Sequence, residues 1–517
     1  MIYRKLKGLF IAIIEFYKRS IFINTEEKKY IKFLHKIQFR YPLLKNNNNE
    51  IILIPLMDDI GTMKVSIELA HKIAHEKGLQ IKYFYVHCAI DGSVSRGNFF
   101  KYSLQQFQNF NFFLVNKLCR IYGIKRKDII IFNSFWPGFK KPEHIRFTAK
   151  EQILEIKFQN IRIGELIYDT YLRFRSQYTM NLSDPCLTDI VEYSKKMAEM
   201  WFYELDKYPI KTLLLTYTSY IHWGIPAYVS LEKNIEVLTY GSSYYVLSSL
   251  IKEYPYHSKN FHRYRSSFSK LENPIQKRKL GEDALDKRLA GEIDAGTSYM
   301  KKSAFDTNVT YEFSPGSKSW CITFLHCFFD SPHIYGESLF PDFYEWIIHI
   351  LMEAKELPHQ YFYFKEHPNA LLENKKIVQE IKERFSEYSN IIFLSSDITN
   401  RQIIAQNPSA IFTVYGTVAH EFASLGIPVI VAGENPQSDY GFIHKPESIK
   451  EFDHYIINFP TIGLPESYNK EEIYEFFYMH YLFYSEKFDV TNFSKQLDLN
   501  NGVINIPKEI PYQDFIY

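Results

Sequence analysis

Long apolar runs are missing from this chain. The longest near its start, Gly8 to Ile14, falls far short of the roughly 20 residues a membrane-spanning helix needs, so no span is expected. Cysteine is scarce. Cys88, Cys119, Cys186, Cys321 and Cys327 are scattered and odd in number, with no pair at zinc-site spacing beside a histidine partner. That argues against a disulfide framework and implies a reducing cytoplasm. A surplus of either charge is also missing. Lys and Arg number 61 against 59 Asp and Glu, a net charge of +2, which removes the general electrostatic case for a nucleic-acid partner. Aromatic residues, by contrast, make up 17% of the chain. Aromatic faces suit carbohydrate, but a Phe- and Tyr-rich core accounts for the surplus most simply.

The length of 517 residues suits two domains or three. The most informative stretch is 361–442. Short apolar runs at 361–364, 391–394, 410–414 and 429–431 alternate with helix-like segments, the pattern of βαβ units feeding a parallel sheet. Ligands of such sheets bind off the carboxyl ends of the strands. Polar residues gather there: Lys365, Glu366 and His367 after the first run, Ser395, Ser396 and Asp397 after the second, Tyr415, Gly416 and Thr417 after the third. Thr417 is the expected N-cap of a helix running 418–425 and stopped by Gly426 and Pro428. Thr417, His420 and Glu421 share a face of its first turn. Gly416 would let a ligand approach the backbone, the helix start suits a phosphate, and Glu421 suits ribose hydroxyls. The competing reading is a strand–turn–helix that needs a glycine for steric reasons and a threonine as cap.

The first half repeats the theme. Residues 51–57 read as a buried strand, 58–62 as a loop, 64–75 as an amphipathic helix and 81–86 as the next strand, the opening of a Rossmann-like half. The loop is not a Gly-x-Gly-x-x-Gly fingerprint, so a dinucleotide is not expected. Residues 164–173 have near-helical spacing, with Asp169 and Arg173 at i, i+4. A strand at 212–217 leads to a further strand–loop–helix–strand unit, with His222 and Gly224 at its helix start. Residues 251–318 are polar and read as exposed helices between the halves. A strand at 319–325 opens the second half, followed by His326, Asp330 and His333, which suit loop hydrogen bonds as well as they suit a metal.

Three motifs together carry a resemblance. Lys365-Glu366-His367-Pro368, then Tyr415-Gly416-Thr417 with Glu421, then Gly426-Ile427-Pro428, resemble the nucleotide-sugar domain of bacterial capsule and surface-polysaccharide biosynthesis proteins. That group is similar to GT-B glycosyltransferases, including the Kdo and sialic acid transferases. The likeness covers about residues 319–442. It implies an α/β chain of two Rossmann-like domains facing a cleft, with the first domain on the acceptor side. His367 and Pro368, with Gly416 and Thr417, would hold the nucleotide phosphate, Lys365 would help to neutralise the leaving group, and Glu421 would follow less directly. The implied catalytic candidates are His367 and, on the acceptor side, Asp58, Asp59 or Asp169. The first two compete with a plain helix-capping role, the third with a local ion pair. The donor would be a CMP- or UDP-linked sugar, the acceptor an oligosaccharide or lipid-linked saccharide. No cofactor and no metal are expected, since no Asp-x-Asp pair stands in the post-strand setting of metal-using transferases. A UDP-sugar 2-epimerase of similar architecture, or a non-catalytic capsule assembly protein, are the alternatives.

The expected layout is a basic helical segment at 1–45, an acceptor-side domain at 46–315, a nucleotide-sugar domain at 316–460 and a helical tail at 461–517. The tail is expected to pack back on the first domain. Basic residues flank the short apolar stretch of the first segment, which suits a helix lying on the inner face of the cell membrane as well as one packed on the protein itself.

Overall fold

The computed structural model describes residues 49–57, 60–86, 112–132, 146–240, 247–256, 261–294, 318–366 and 372–483, with scattered residues in 14–31 and 297–316. They form two compact α/β units. The first takes its described residues from Met1–Ser176 and Asn181–Ser258, the second from Gln177–Met180 and Lys259–Thr491.

The first unit is built on six strands: β1 (Ile51–Pro55), β2 (Gln80–Val86), β3 (Ile129–Phe132), β4 (Ile210–Leu215), β5 (Glu236–Tyr240) and β6 (Leu247–Ser249). Their order in the sheet is β3-β2-β1-β4-β5-β6, all parallel except β6, which runs antiparallel to β5. Helices α1 (Ile60–Lys77), α2 (Phe112–Tyr122), α3 (Gly164–Arg175), α4 (Pro185–Leu205) and α5 (Tyr220–Glu232) connect and cover it. β1 is apolar and buried along its whole length, as a central strand covered on both faces is.

The second unit has five parallel strands, β7 (Trp320–Phe324), β8 (Tyr361–Lys365), β9 (Ile391–Leu394), β10 (Ala410–Thr413) and β11 (Val429–Val431). Their order is β9-β8-β7-β10-β11. Among the helices that belong with it are α6 (Pro274–Leu289), α7 (Phe343–Lys355), α8 (Leu372–Arg384), α9 (Asn400–Ala405), α10 (Val418–Ala423) and α11 (Ile449–Asn458). Another, α12 (Lys470–Phe477), runs on into a single wider turn at Tyr478–Leu482. Both sheets therefore have the doubly wound Rossmann order, in which the chain reverses direction across the sheet between the first strand and the fourth. Many of the aromatic residues lie in the cores. Phe362 meets Phe459, Phe412 meets Phe452, and Phe84 meets Trp201, each with edge-on rings.

The expected boundary at 315/316 and the separate tail differ from what is found. Residues 261–294 cluster with the second unit, within which α12 packs on α6. The reason is local. Arg278 donates to buried Glu475 at 2.9 Å, and Arg288 lies over the rings of Phe477 and Tyr481 at 4.7 and 4.1 Å. At Gly281 the two backbones nearly touch: a Cβ there would sit 2.1 Å from the Tyr474 carbonyl oxygen. Gly to Ala within a helix ordinarily gains up to about 1 kcal/mol. Here the sign reverses, and Gly281→Ala is expected to cost roughly 1–3 kcal/mol, because α12 must be pushed away. Denaturation midpoints of the two proteins check this; an unchanged or raised midpoint would contradict it.

Candidate active site

The carboxyl end of the second sheet is held together across its switch point. His326 follows β7, and its Nε2 accepts the backbone N–H of Val414 at 3.2 Å, just past β10. That bond places the imidazole proton on Nδ1. The Thr413 hydroxyl lies 3.2 Å from the same nitrogen and accepts the Gly416 N–H at 3.2 Å. Phe343 stacks on the His326 ring at 4.7 Å, and Tyr415 tilts against it at 4.8 Å. The ends of β7 and β10, where the strand order reverses and ligands of such sheets bind, are thus fixed in position.

Lys365 ends β8, beside β7. Its side chain is buried, 4% exposed. Nζ donates to Asn400 Oδ1 at 3.2 Å and lies 5.6 Å from the centre of the Phe324 ring. That is its only hydrogen bond among the described residues, although an ammonium carries three donors. Burial pushes its pKa down to about 8, against the pull of Glu421 and Asp397.

A second charged group lies behind the start of α10. Arg288 is buried; its guanidinium binds Asp294 at 2.6 Å through Nε and stands 3.7 Å from Glu421. It also donates to His420 Nε2 at 3.2 Å. An arginine only donates, so the His420 proton is on Nδ1, 3.0 Å from the Gln437 amide, whose oxygen is the group able to accept it. Burial and then the Arg288 charge hold the His420 pKa well below the usual value, leaving the ring neutral. Glu421 is buried and its pKa raised by desolvation, with Arg288 and the Thr417 hydroxyl opposing.

The expected site residues divide accordingly. Lys365 lies at the carboxyl end of β8, and Tyr415, Gly416, Thr417 and Glu421 lie just past that of β10, the two strands that flank β7. Ser395, exposed, and Ser396, half-buried, follow β9, with the Ser395 hydroxyl engaged in a local turn with Asp397. His367 and Pro368 lie outside the described residues, as do Asp58 and Asp59.

One expected role needs correction. Thr417 makes no side-chain capping bond, and its backbone is already helical. At Gly416 the steric reading has a concrete basis, since a Cβ there would stand 2.8 Å from the Thr413 hydroxyl. The helix expected to meet a phosphate is short, six residues ending at Ala423. Sequence reasoning passed over Thr413 and Asn400 and left His326 as a loop residue. Only the strand order shows that β7 and β10 are neighbours.

In the first unit Asp169 lies on α3, buried, beside Glu165. Their charges help raise the pKa of buried Tyr228, after burial itself. The adjacent Thr170 hydroxyl accepts the Ile221 N–H at 3.0 Å, which fixes α3 to the start of α5. Gly224 gives room to Leu166 rather than to a pocket. Half-buried or exposed aromatic residues collect at the same end of the sheet. Phe174 meets Tyr220 and His222 edge-on at 5.3 and 5.4 Å, and exposed Tyr217 meets Trp223 at 6.0 Å. Tyr220 itself has a φ of +63°, a backbone conformation uncommon for a bulky residue.

No family model and no curated protein matches the chain. Solved structures resemble it weakly. The beta Kdo 2,4 transferase KpsC of Thermosulfurimonas dismutans is 13% identical, with 52% of this chain and 79% of that one aligned at a TM-score of 0.31. The UDP-GlcNAc 2-epimerase of Methanocaldococcus jannaschii, in complex with UDP-GlcNAc and UDP, is 10% identical over 83% and 98%, at 0.24. A glycosyltransferase of Rickettsia africae is 9% identical over 84% and 94%, at 0.25. At such scores these likenesses add no argument to the strand orders above.

The folded pKa of Lys365, about 8, lies below its ordinary 10.5. Between those values the unfolded chain binds the extra proton, so this residue makes stability rise with pH across that window. Below pH 8 the cost of burying the charge is fully present, on the order of 3 kcal/mol. Lys365→Met is therefore expected to be more stable than the wild type at pH 7, with the gap closing as pH rises from 8 to 10.5. Urea midpoints of both proteins at pH 7, 9 and 10.5 test this; a gap independent of pH would contradict it.

Proposed function

We propose that the protein is a glycosyltransferase that takes a sugar from a CMP- or UDP-linked donor. The observation that carries this reading is Lys365: a buried ammonium at the carboxyl edge of a doubly wound sheet, using one of its three donors among the described residues. Such a group calls for an anion, and a nucleotide phosphate is the anion this fold position ordinarily receives. In the reaction the bond between the anomeric carbon and the phosphate oxygen breaks, and a bond to an acceptor hydroxyl forms. Lys365, with His367 from the Lys-Glu-His-Pro motif, stabilises the negative charge that grows on the departing nucleotide, in place of a metal. Ser395, Ser396 and Tyr415 flank the same edge, and Glu421 is held behind it on Arg288.

The first unit supplies the acceptor side. Tyr217, Tyr220 and Trp223 offer aromatic faces for saccharide rings at the end of β4. Asp58 and Asp59, in the loop after β1, remain the proposed carboxylates for the acceptor hydroxyl. Buried Asp169 suits a positioning role better than that of a base. Among the described residues no helix is long and apolar enough to cross a membrane. An oligosaccharide or lipid-linked acceptor of capsule or surface polysaccharide, met at the cytoplasmic membrane face by the basic N-terminal segment, completes the reading.

Calorimetry with CMP, UDP, GDP and CMP- and UDP-sugars tests it. One of the pyrimidine nucleotides is expected to bind, and Lys365→Met and His367→Ala to weaken it about tenfold to a hundredfold, the worth of a charge-assisted hydrogen bond. Circular dichroism checks that each variant is folded. Nucleotide release that depends on added acceptor supports transfer. Conversion of a free UDP-sugar without acceptor would assign an epimerase instead, and unchanged affinity in both folded variants would overturn the phosphate site.

A further inference from the structure

We propose that His349, Glu353 and Asp453 form a binding site for a divalent transition-metal ion of the zinc class, bridging α7 and α11. His349 and Glu353 stand four residues apart on one face of α7, and Asp453 faces them from α11. One ligand atom from each lies within 4.8 Å of the others. The His349 ring is held in place by Phe340 at 5.0 Å and Phe452 at 6.4 Å. Its Nε2 is 2.6 Å from Asp453 Oδ1, which as it stands is an inter-helix ion pair or hydrogen bond.

Glu353 is what that pair does not explain. Its carboxylate is half-buried and has no hydrogen bond or ion pair among the described residues, yet one of its oxygens lies within 4.8 Å of ligand atoms of the other two. Two carboxylates sharing one imidazole leave an excess of negative charge, whatever the protonation of the ring. A divalent cation removes that excess. One imidazole nitrogen with two carboxylate oxygens suits zinc and its neighbours, whereas calcium and magnesium favour all-oxygen sites. Three protein ligands leave water to complete the coordination. Both helices contribute to the core on their inner faces, through Trp346, Ile350, Phe452 and Ile456. An ion between their outer faces therefore ties α11 to α7 without changing the core. The site is separate from the Lys365 edge and does not depend on the transferase reading.

The test is a Zn2+ titration of the full chain against a chromophoric chelator, beside hydrogen exchange of α11. The chain has 17 histidines, so the reading is the difference between wild type and variants. His349→Ala is expected to lose one equivalent of bound zinc, and Glu353→Gln to weaken that equivalent about tenfold or more. Zinc is expected to slow amide exchange in α11 of the wild type and of neither variant. Glu353 has no partner to lose, so its variant keeps the test open if His349→Ala folds poorly. Equal zinc binding by the wild type and Glu353→Gln would reduce the cluster to a His–Asp pair and overturn the proposal.

Discussion

The second unit depends on one constraint: two strands that are far apart in sequence must end side by side, with their polar groups satisfied. His326 meets it by taking the Val414 N–H and standing beside the Thr413 hydroxyl, while Thr413 takes the Gly416 N–H. The carboxyl edge is thereby closed on itself at β7 and β10. Gly416 is then needed for internal reasons, because any side chain would strike Thr413. Among the described residues, the group left with donors to spare lies one strand over, at Lys365. A protein that buries a cation with a single acceptor forgoes stability there, and positions of that kind are where binding partners are found.

The charge behind α10 sets a second condition. Arg288 comes from a helix far upstream and is committed to Asp294, His420 and Glu421 together. Its hold on Glu421 means that the acid expected to meet a ribose is already engaged with a cation. It also explains why residues 261–294 belong to this unit: Arg288 packs between α10 and the aromatic side chains of Phe477 and Tyr481, so α6 and α12 form one buttress. Removal of α6 would take the Arg288 counter-charge from buried Glu421, a far larger cost than the loss of a surface ion pair.

Much of the fold was legible in the sequence because parallel strands buried on both faces must be short apolar runs. Residues 391–394 and 429–431 are strands as expected, and the others differ by a residue or two at their ends. The identity of the carboxyl-edge residues followed from that. Strand order was not legible, since no local pattern says that β10 lies beside β7. His326 therefore read as a loop residue, and the tie it makes was invisible. Thr417 reads as a cap because a hydroxyl before a helix ordinarily caps it, whereas its backbone here already has helical angles and its side chain makes no cap bond. The partnership of α6 with α12 was hidden for a similar reason: Gly281 reads as a helix weakness until Tyr474 is seen against it.

The central claim is that an anionic nucleotide docks at the carboxyl edge of β8, β7 and β10. Amide hydrogen exchange of the full chain, with and without a saturating pyrimidine nucleotide, tests it most directly. The account predicts slowed exchange in residues 362–366 and 413–421, with the strands of the first sheet unaffected. Protection confined to the first unit, or none at the second sheet's edge under conditions where the nucleotide is bound, would contradict it.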